Sequence, residues 1–179
     1  NSTAQTTEST KLSIVNSVNS TYTTLDNVIR AQTDSSFTEP RSSNPQLKLL
    51  VPDFALTNNL QSERVRVETI LNNIQNRNRS ISVNSNLELE INSLQTDLEV
   101  IKSYLDSLSS AYLKAIPNDS FTSAQIEAGK ATVNAARSTV SGSISALTAS
   151  KISLQNALAQ KDVALETPTT NSAQLASSY

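Results

Sequence analysis

The stretch LELEINSLQTDLEVIKSYLDSLSSAYLKAI, residues 87–116, decides the fold of this chain. Its apolar residues recur at alternating steps of four and three, which is the spacing of a helix that buries one narrow stripe against neighbouring helices. The stretch contains neither Gly nor Pro, so it predicts one uninterrupted helix. We call this apolar stripe the seam; it consists of Leu87, Ile91, Leu94, Leu98, Ile101, Leu105, Leu108, Tyr112 and Ile116.

The composition of the whole chain agrees with this reading. Only 2 glycines and 5 prolines occur among 179 residues, which favours long helices over a fold with many turns. The hydrophobic fraction of 37% is low for a compact globule but sufficient for a thin bundle with a narrow core. The sequence therefore predicts an all-α protein, an elongated antiparallel bundle of about four helices with a Pro-rich connection.

Charge and residue types exclude several functions. The net charge is -2 and there is no basic run, so electrostatic capture of nucleic acid is unsupported. The chain has no Cys and no His, which removes thiol nucleophiles, histidine acid–base catalysis and the usual zinc ligands. No stretch is apolar enough to cross a membrane. We therefore expect a protein that is not an enzyme and has no cofactor, no metal site and no direct membrane insertion.

The four helices are expected at about residues 11–33, 53–76, 86–116 and 122–167, within a bundle domain of residues 10–167. The Thr- and Ser-rich residues 1–9 predict a frayed N-terminus, and residues 168–179, which begin at Pro168, predict a linker. Apolar stripes support the flanking helices. In the first helix the stripe is Leu12, Val15, Val18, Tyr22, Leu25 and Ile29; in the second it is Leu56, Leu60, Val67, Ile70, Leu71 and Ile74; and in the fourth it is Ile126, Val133, Val140, Leu147 and Leu154.

The segments between the helices carry turn and capping signals. Three prolines interrupt residues 34–53, and the run 47–51 is expected to be extended and to lie along the bundle. The whole connection is expected either to cover a bundle end or to cross between helix pairs. Asp53 is a good N-cap for the second helix. Thr122 or Ser123 is expected to cap the fourth, with Gln125 in capping-box spacing to Thr122. Residues 76–86 are either a polar loop or a weak helical link.

Two arginines near the end of the first helix form the first candidate site. Arg30 precedes Asp34 by four residues, which predicts an ion pair on the helix surface. Arg30 and Arg41 together have two possible roles. They either form an anion site at the bundle end, or they cap the carbonyls of the first helix and tie down the Pro-rich connection.

Further arginines and carboxylates lie on the second helix, where Glu63, Arg64, Arg66 and Glu68 are expected to face solvent or to bridge to neighbours. Arg77 and Arg79 extend this group of arginines. Local ion pairing is the preferred interpretation, with an acidic partner or a small anion as the alternative. The fourth helix is long and rich in Ala and Ser, so it offers a surface to which a partner can come close. A candidate partner-contact face there comprises Arg137, Lys151 and Gln155.

Several runs, in order along the chain, resemble a known family. They are LDNVIR at 25–30, FTEPRSSNP at 37–45, SYLDSL at 103–108, IPNDS at 116–120, SAQI at 123–126, AARSTV at 135–140 and ISALT at 144–148. Together they resemble a helical region of HlyD-like membrane-fusion proteins, the periplasmic adaptors of bacterial export systems, in versions from uncultured candidate-phylum bacteria. The resemblance covers roughly residues 20–170.

The resemblance implies a non-catalytic helical domain that works by helix–helix contacts within a membrane-anchored adaptor for export or efflux. It implies an inner-membrane pump as partner and an extracytoplasmic location, which a surface rich in Ser, Thr, Asn and Gln also favours; a homo-oligomer is a further possibility. Family members that dock onto an outer-membrane channel carry Arg, Leu and Ser or Thr at steps of seven. Neither Arg137, Ile144 and Lys151 nor Arg64, Leu71 and Asn78 completes that pattern.

Two other functions remain open at this stage. The first is an extracytoplasmic four-helix sensor domain, which predicts a homodimer and a pocket in which Arg30 or Arg64 grips a ligand carboxylate. The second is a helical component of a surface structure, because helical bundles serve many functions.

Overall fold

The chain forms an all-α bundle, as the sequence predicts. The computed structural model describes residues 2–119 and 121–176, and 80% of the chain is helical. Its four α-helices in that part of the chain are α1 (Ser2–Asp26), α2 (Phe54–Asn78), α3 (Leu87–Lys114) and α4 (Ser123–Ala176).

The helices are arranged up, down, up and down around one core. Helix α1 packs against α2 and α4, and α3 packs against α2 and α4, so neighbours in the bundle are antiparallel. The core is a single continuous cluster of mainly aliphatic residues, with Phe37, Tyr104 and Tyr112 among them. No helix within the described residues is long and apolar enough to span a membrane.

The seam of α3 is confirmed as the centre of the core. Its eight positions from Leu87 to Tyr112 are at most 4% exposed, whereas Ile116 is 46% exposed. Ile116 leaves the core because α3 ends at Lys114 and the chain becomes extended at Ala115. The heptad stripe of α4 is also confirmed, since all five of its predicted positions are buried.

The prediction for the start of α1 is wrong. Residues 1–9 were expected to be frayed, but the helix begins at Ser2, and of these nine residues the structure leaves only residue 1 undescribed. The physical reason is packing against α4: Thr7 is 1% exposed, and its Oγ1 contacts both the Thr3 carbonyl oxygen at 3.0 Å and the Ala157 carbonyl oxygen at 3.3 Å. The hydroxyl group is thus satisfied inside the helix pair, which allows a polar residue to occupy a core position.

The register of α1 also differs from the predicted stripe. Four of the six predicted positions are buried, namely Val15, Val18, Leu25 and Ile29. Leu12 is 54% exposed, however, and the buried stripe also includes Ile14 and Thr21, which were not predicted. Thr21 donates from Oγ1 to the Ser17 carbonyl oxygen at 2.9 Å, so its burial leaves no unsatisfied hydroxyl. Because Thr7 and Thr21 are polar, a search for apolar residues alone does not recognise these two core positions.

Helix α1 continues into a π-helical segment, Asn27–Thr33, and a short 3-10 turn, Asp34–Ser36. The chain then forms a two-stranded antiparallel hairpin of β1 (Phe37–Thr38) and β2 (Gln46–Leu47). Leu49 and Val51 are buried, and Leu50 forms an antiparallel bridge to Ile116. This part of the Pro-rich connection is therefore extended and covers one end of the bundle. Of the two predicted arrangements, covering a bundle end or crossing between helix pairs, it adopts the first.

The predicted helix caps are confirmed. Asp53 Oδ1 accepts a hydrogen bond from the Leu56 amide at 3.0 Å, and Thr122 and Gln125 form a capping box, with the Thr122 amide donating to Gln125 Oε1 at 2.8 Å. Residues 79–86 form turns between α2 and α3, so the stretch that was ambiguous in the sequence is a loop.

The predicted linker at 168–179 needs a correction. Helix α4 passes Pro168 and continues to Ala176, while residues 177–179 lie outside the described part. A proline removes one backbone hydrogen bond and strains the turn before it, but helical residues on both sides can still continue the helix.

Candidate functional site

A fully buried arginine lies at the centre of the most elaborate polar cluster in the bundle. Arg64 is 0% exposed, although it extends from the middle of α2. It donates to Asp34 Oδ1 from Nε at 3.0 Å and from Nη2 at 2.7 Å, and Nη2 also donates to Glu68 Oε2 at 3.0 Å. Two carboxylates thus surround one buried cation, which is the arrangement that makes a buried charge tolerable.

Two further arginines join this arrangement from its edges. Arg30 donates from Nη2 to Glu68 Oε1 at 2.6 Å and from Nη1 to Asp26 Oδ1 at 2.8 Å. Arg41 donates from Nε to Asp34 Oδ2 at 3.1 Å. We call this group the arginine cluster; its members are Asp26, Arg30, Asp34, Arg41, Arg64 and Glu68.

The geometry bears on the two roles considered for Arg30 and Arg41. Three arginines face three carboxylates, so the formal charges of the cluster cancel. A free anion would have to displace carboxylates of the chain itself. Arg41 ties the Pro-rich connection to the end of the helical run, which supports the structural interpretation. The anion site stays a prediction.

The predicted Arg30–Asp34 ion pair is wrong. Arg30 pairs with Asp26 and Glu68, whereas Asp34 pairs with Arg64 and Arg41. The backbone between Arg30 and Asp34 is π-helical, so a spacing of four residues no longer places the two side chains on the same face.

Charges in the cluster hold one another in their ionised forms. Burial alone would raise the pKa of Glu68, but hydrogen bonds from Arg30 and Arg64 outweigh it and hold that pKa below its ordinary value. Burial alone would lower the pKa of Arg30, and the Glu68 carboxylate raises it instead. Arg30 and Glu68 therefore favour each other's ionised form.

Sequence reasoning missed the burial of Arg64, although the signal was present. Arg64 stands between Leu60 and Val67 at steps of four and three, in the one gap of the predicted α2 stripe. The Arg64–Glu68 ion pair at 3.0 Å agrees with the predicted local pairing. A charged residue in phase with an apolar stripe, and four residues from a carboxylate, is the pattern that would have identified it.

The residues of the predicted partner-contact face on α4 bind α3 of the same chain. The donor–acceptor pairs are Arg137–Asp106 at 2.5 Å, Lys151–Asn92 at 2.8 Å and Gln155–Glu88 at 3.1 Å. These bonds fasten α4 to α3 along most of the length of α3. A role of Arg137, Lys151 and Gln155 in binding a partner stays a prediction, and their polar groups are already engaged.

The opposite side of α4 is uncovered. Helix α4 buries one stripe against α1 and α3, while Ile152, on its other side, is 53% exposed. A side chain added at Gly142 would meet no atom within 4 Å. This side, which we call the outer face of α4, therefore offers apolar and small residues to solvent.

Helices α1 and α4 continue together beyond the rest of the bundle. The Gln155–Glu88 hydrogen bond marks the level on α4 at which α3 begins, and α4 runs on to Ala176. Beyond that level the N-terminal turns of α1 pack on α4, as the Thr7–Ala157 contact shows. We call this pair of helix ends the arm.

Comparisons with known proteins give no relative for this chain. No family model matches it, and no curated protein or solved structure is similar to it at a significant level. Among the described residues, no group of three or more acidic side chains is placed to hold a metal ion. The absence of a catalytic function and of a cofactor stays a prediction.

Proposed function

We propose that this chain is the helical domain of an extracytoplasmic export or efflux adaptor, acting by helix–helix contacts rather than by chemistry. The proposal rests on the family resemblance and on one structural observation: the outer face of α4 is uncovered while its inner side is fastened to the bundle. A rigid helix with one exposed apolar side is suited to receive a partner helix.

The arm is compatible with this role. Helices α1 and α4 run antiparallel, so the first and last described residues lie towards the same end of the molecule. A helical domain inserted between the flanking domains of an adaptor would need its two connections on one side. The arm supplies that geometry, and the inner-membrane pump is the partner that the resemblance implies.

The test is an export assay in the parent protein with substitutions on the outer face of α4. Ile152→Asp should abolish or strongly reduce export, because it places a charge in the proposed contact. Leu89→Asp is the matched control, since Leu89 is 58% exposed on α3, close to Ile152 in exposure. Equal export by both variants and the wild type would remove the proposal.

The sensor domain remains the second candidate, with one specific weakness. The arginines that it assigned to a ligand carboxylate, Arg30 and Arg64, are bound to carboxylates of the chain itself. Reading the parent sequence separates the candidates: lipoyl-like and β-barrel segments on either side would support the adaptor, whereas two transmembrane helices with a signalling region would support the sensor.

A further inference from the structure

A pocket with a charged lining lies between α2 and α3. Its volume is about 310 Å³, at the lower end of the range of about 300–1,000 Å³ for small-molecule sites. The charged residues Glu63, Arg66 and Glu99 line it, and Val67, Val100 and the ring of Tyr104 supply apolar wall.

The charged residues of this pocket are not paired, in contrast to those of the arginine cluster. Among the described residues, Glu63, Arg66 and Glu99 form no ion pair, although Glu63 and Arg66 are only one helical turn apart. Glu63 Oε2 is buried and accepts no hydrogen bond from the described part of the chain. A buried carboxylate oxygen without a donor is unfavourable, because it has lost its bonds to water and gained none in return.

These observations define the chemistry that would complete the pocket. Glu63 Oε2 requires an N–H or O–H donor, and a cationic donor matches the second carboxylate, that of Glu99. Arg66 supplies the opposite charge at the same pocket and suits a carboxylate. Val67 and Val100 supply an apolar wall beside these charged groups, against which the apolar side chain of a ligand can pack.

We propose that the α2–α3 pocket binds a small zwitterion of the α-amino-acid class. The ligand ammonium group donates to Glu63 with Glu99 as a second anionic partner, its carboxylate faces Arg66, and its apolar side chain lies against Val67, Val100 and Tyr104. This site is separate from the arginine cluster and from the outer face of α4, so it does not depend on the proposed adaptor function.

Three probes of nearly the same size test the assignment on the full chain by NMR titration at pH 7. L-leucine carries both charges, 3-methylbutylamine only the ammonium group and 4-methylpentanoate only the carboxylate. We expect saturable shifts at the pocket residues with L-leucine. The amine should bind about tenfold more weakly and the acid should not bind, because each lost charged hydrogen bond is worth about 1.5–3 kcal/mol.

Two variants assign the roles. Glu63→Gln should weaken both L-leucine and the amine about tenfold, whereas Arg66→Gln should weaken L-leucine and leave the amine unchanged. Glu90→Gln, on α3 outside the pocket, is the control and should leave all affinities unchanged. The proposal fails if L-leucine gives no saturable shifts at these residues, if it binds elsewhere, or if Glu63→Gln binds it as the wild type does. Equal affinity for L-leucine and the amine would overturn the zwitterion assignment.

Discussion

Arg64 Nη2 and Asp34 Oδ1 lie 2.7 Å apart inside the bundle and join α2 to the end of the helical run that starts with α1. Asp34 is nearly buried, at 11% side-chain exposure, and it also accepts from Arg41 of the Pro-rich connection. One carboxylate thus holds together a helix, the end of a second helical run and the segment that covers the bundle end.

Removing that carboxylate should be costly. Asp34→Ala leaves Arg64 with Glu68 alone and releases Arg41, so the free energy of unfolding in urea should fall by about 3–5 kcal/mol. Arg64→Met removes the buried charge itself, along with Nη1, which has no acceptor among the described residues. Arg64→Met should therefore cost much less than Asp34→Ala. If Asp34→Ala costs under about 1 kcal/mol, the pair is not the buried interaction described here.

Glu68 should make stability depend on acid pH. Its pKa is held below the ordinary value in the folded chain, so its contribution is fully present above the ordinary pKa of about 4.3 and is lost as pH falls through the lowered folded-state value. Glu68→Gln should therefore give a shallower loss of unfolding free energy below about pH 4 than the wild type. Urea titrations from pH 7 downwards measure this, and identical slopes for the two proteins would contradict it.

Gly129 and Gly142 of α4 allow a paired test of the packing of Tyr112, because a Cβ would meet Tyr112 at Gly129 and nothing at Gly142. A Cβ at Gly129 would overlap the ring of Tyr112, and the Tyr112 hydroxyl is 2.8 Å from Ser36 Oγ. Gly129→Ala should therefore displace the buried ring and lower the unfolding free energy by about 1–3 kcal/mol. Gly142→Ala has open space and should raise it by up to about 1 kcal/mol, the difference in helix propensity. Equal effects of both substitutions would mean that Tyr112 does not pack on α4 as described.

The arm can be tested by cross-linking, because the chain contains no cysteine of its own. Thr7→Cys combined with Ala157→Cys should form a disulfide on mild oxidation, since the two residues are in contact between α1 and α4. Thr7→Cys combined with Ser145→Cys should not, because Ser145 is about 18 Å further along α4 at ~1.5 Å per residue. Mobility on non-reducing gels measures both, and the reverse pattern would contradict the pairing of the two helices.

The sequence was sufficient for the helices because their apolar stripes are nearly pure. The α3 seam and the α4 heptads follow directly from the spacing of Leu, Ile and Val, and Asp53 and Thr122 cap helices by local chemistry that sequence alone contains. The α1 stripe was predicted only in part because Thr7 and Thr21 occupy core positions, with their hydroxyl groups bound to backbone carbonyls.

The arginine cluster was harder to predict because it depends on contacts between distant segments. Arg64 binds Asp34, which is 30 residues away in the sequence, and Arg30 binds Glu68, which is 38 residues away. In addition, a π-helical segment determines the relative orientation of the Arg30 and Asp34 side chains. No local spacing rule contains that information. The charges of the α2–α3 pocket also converge only when the two helices pack side by side.

The central claim is that the outer face of α4 receives a partner of the transport system, and site-specific photo-cross-linking in cells tests it most directly. A photoreactive residue at Ile152 of the parent protein should give a cross-link to an export or efflux pump, identified by mass spectrometry, while the same residue at Leu89 on α3 should not. Cross-linking at Leu89 but not at Ile152, or no pump among the products at Ile152, would contradict the account.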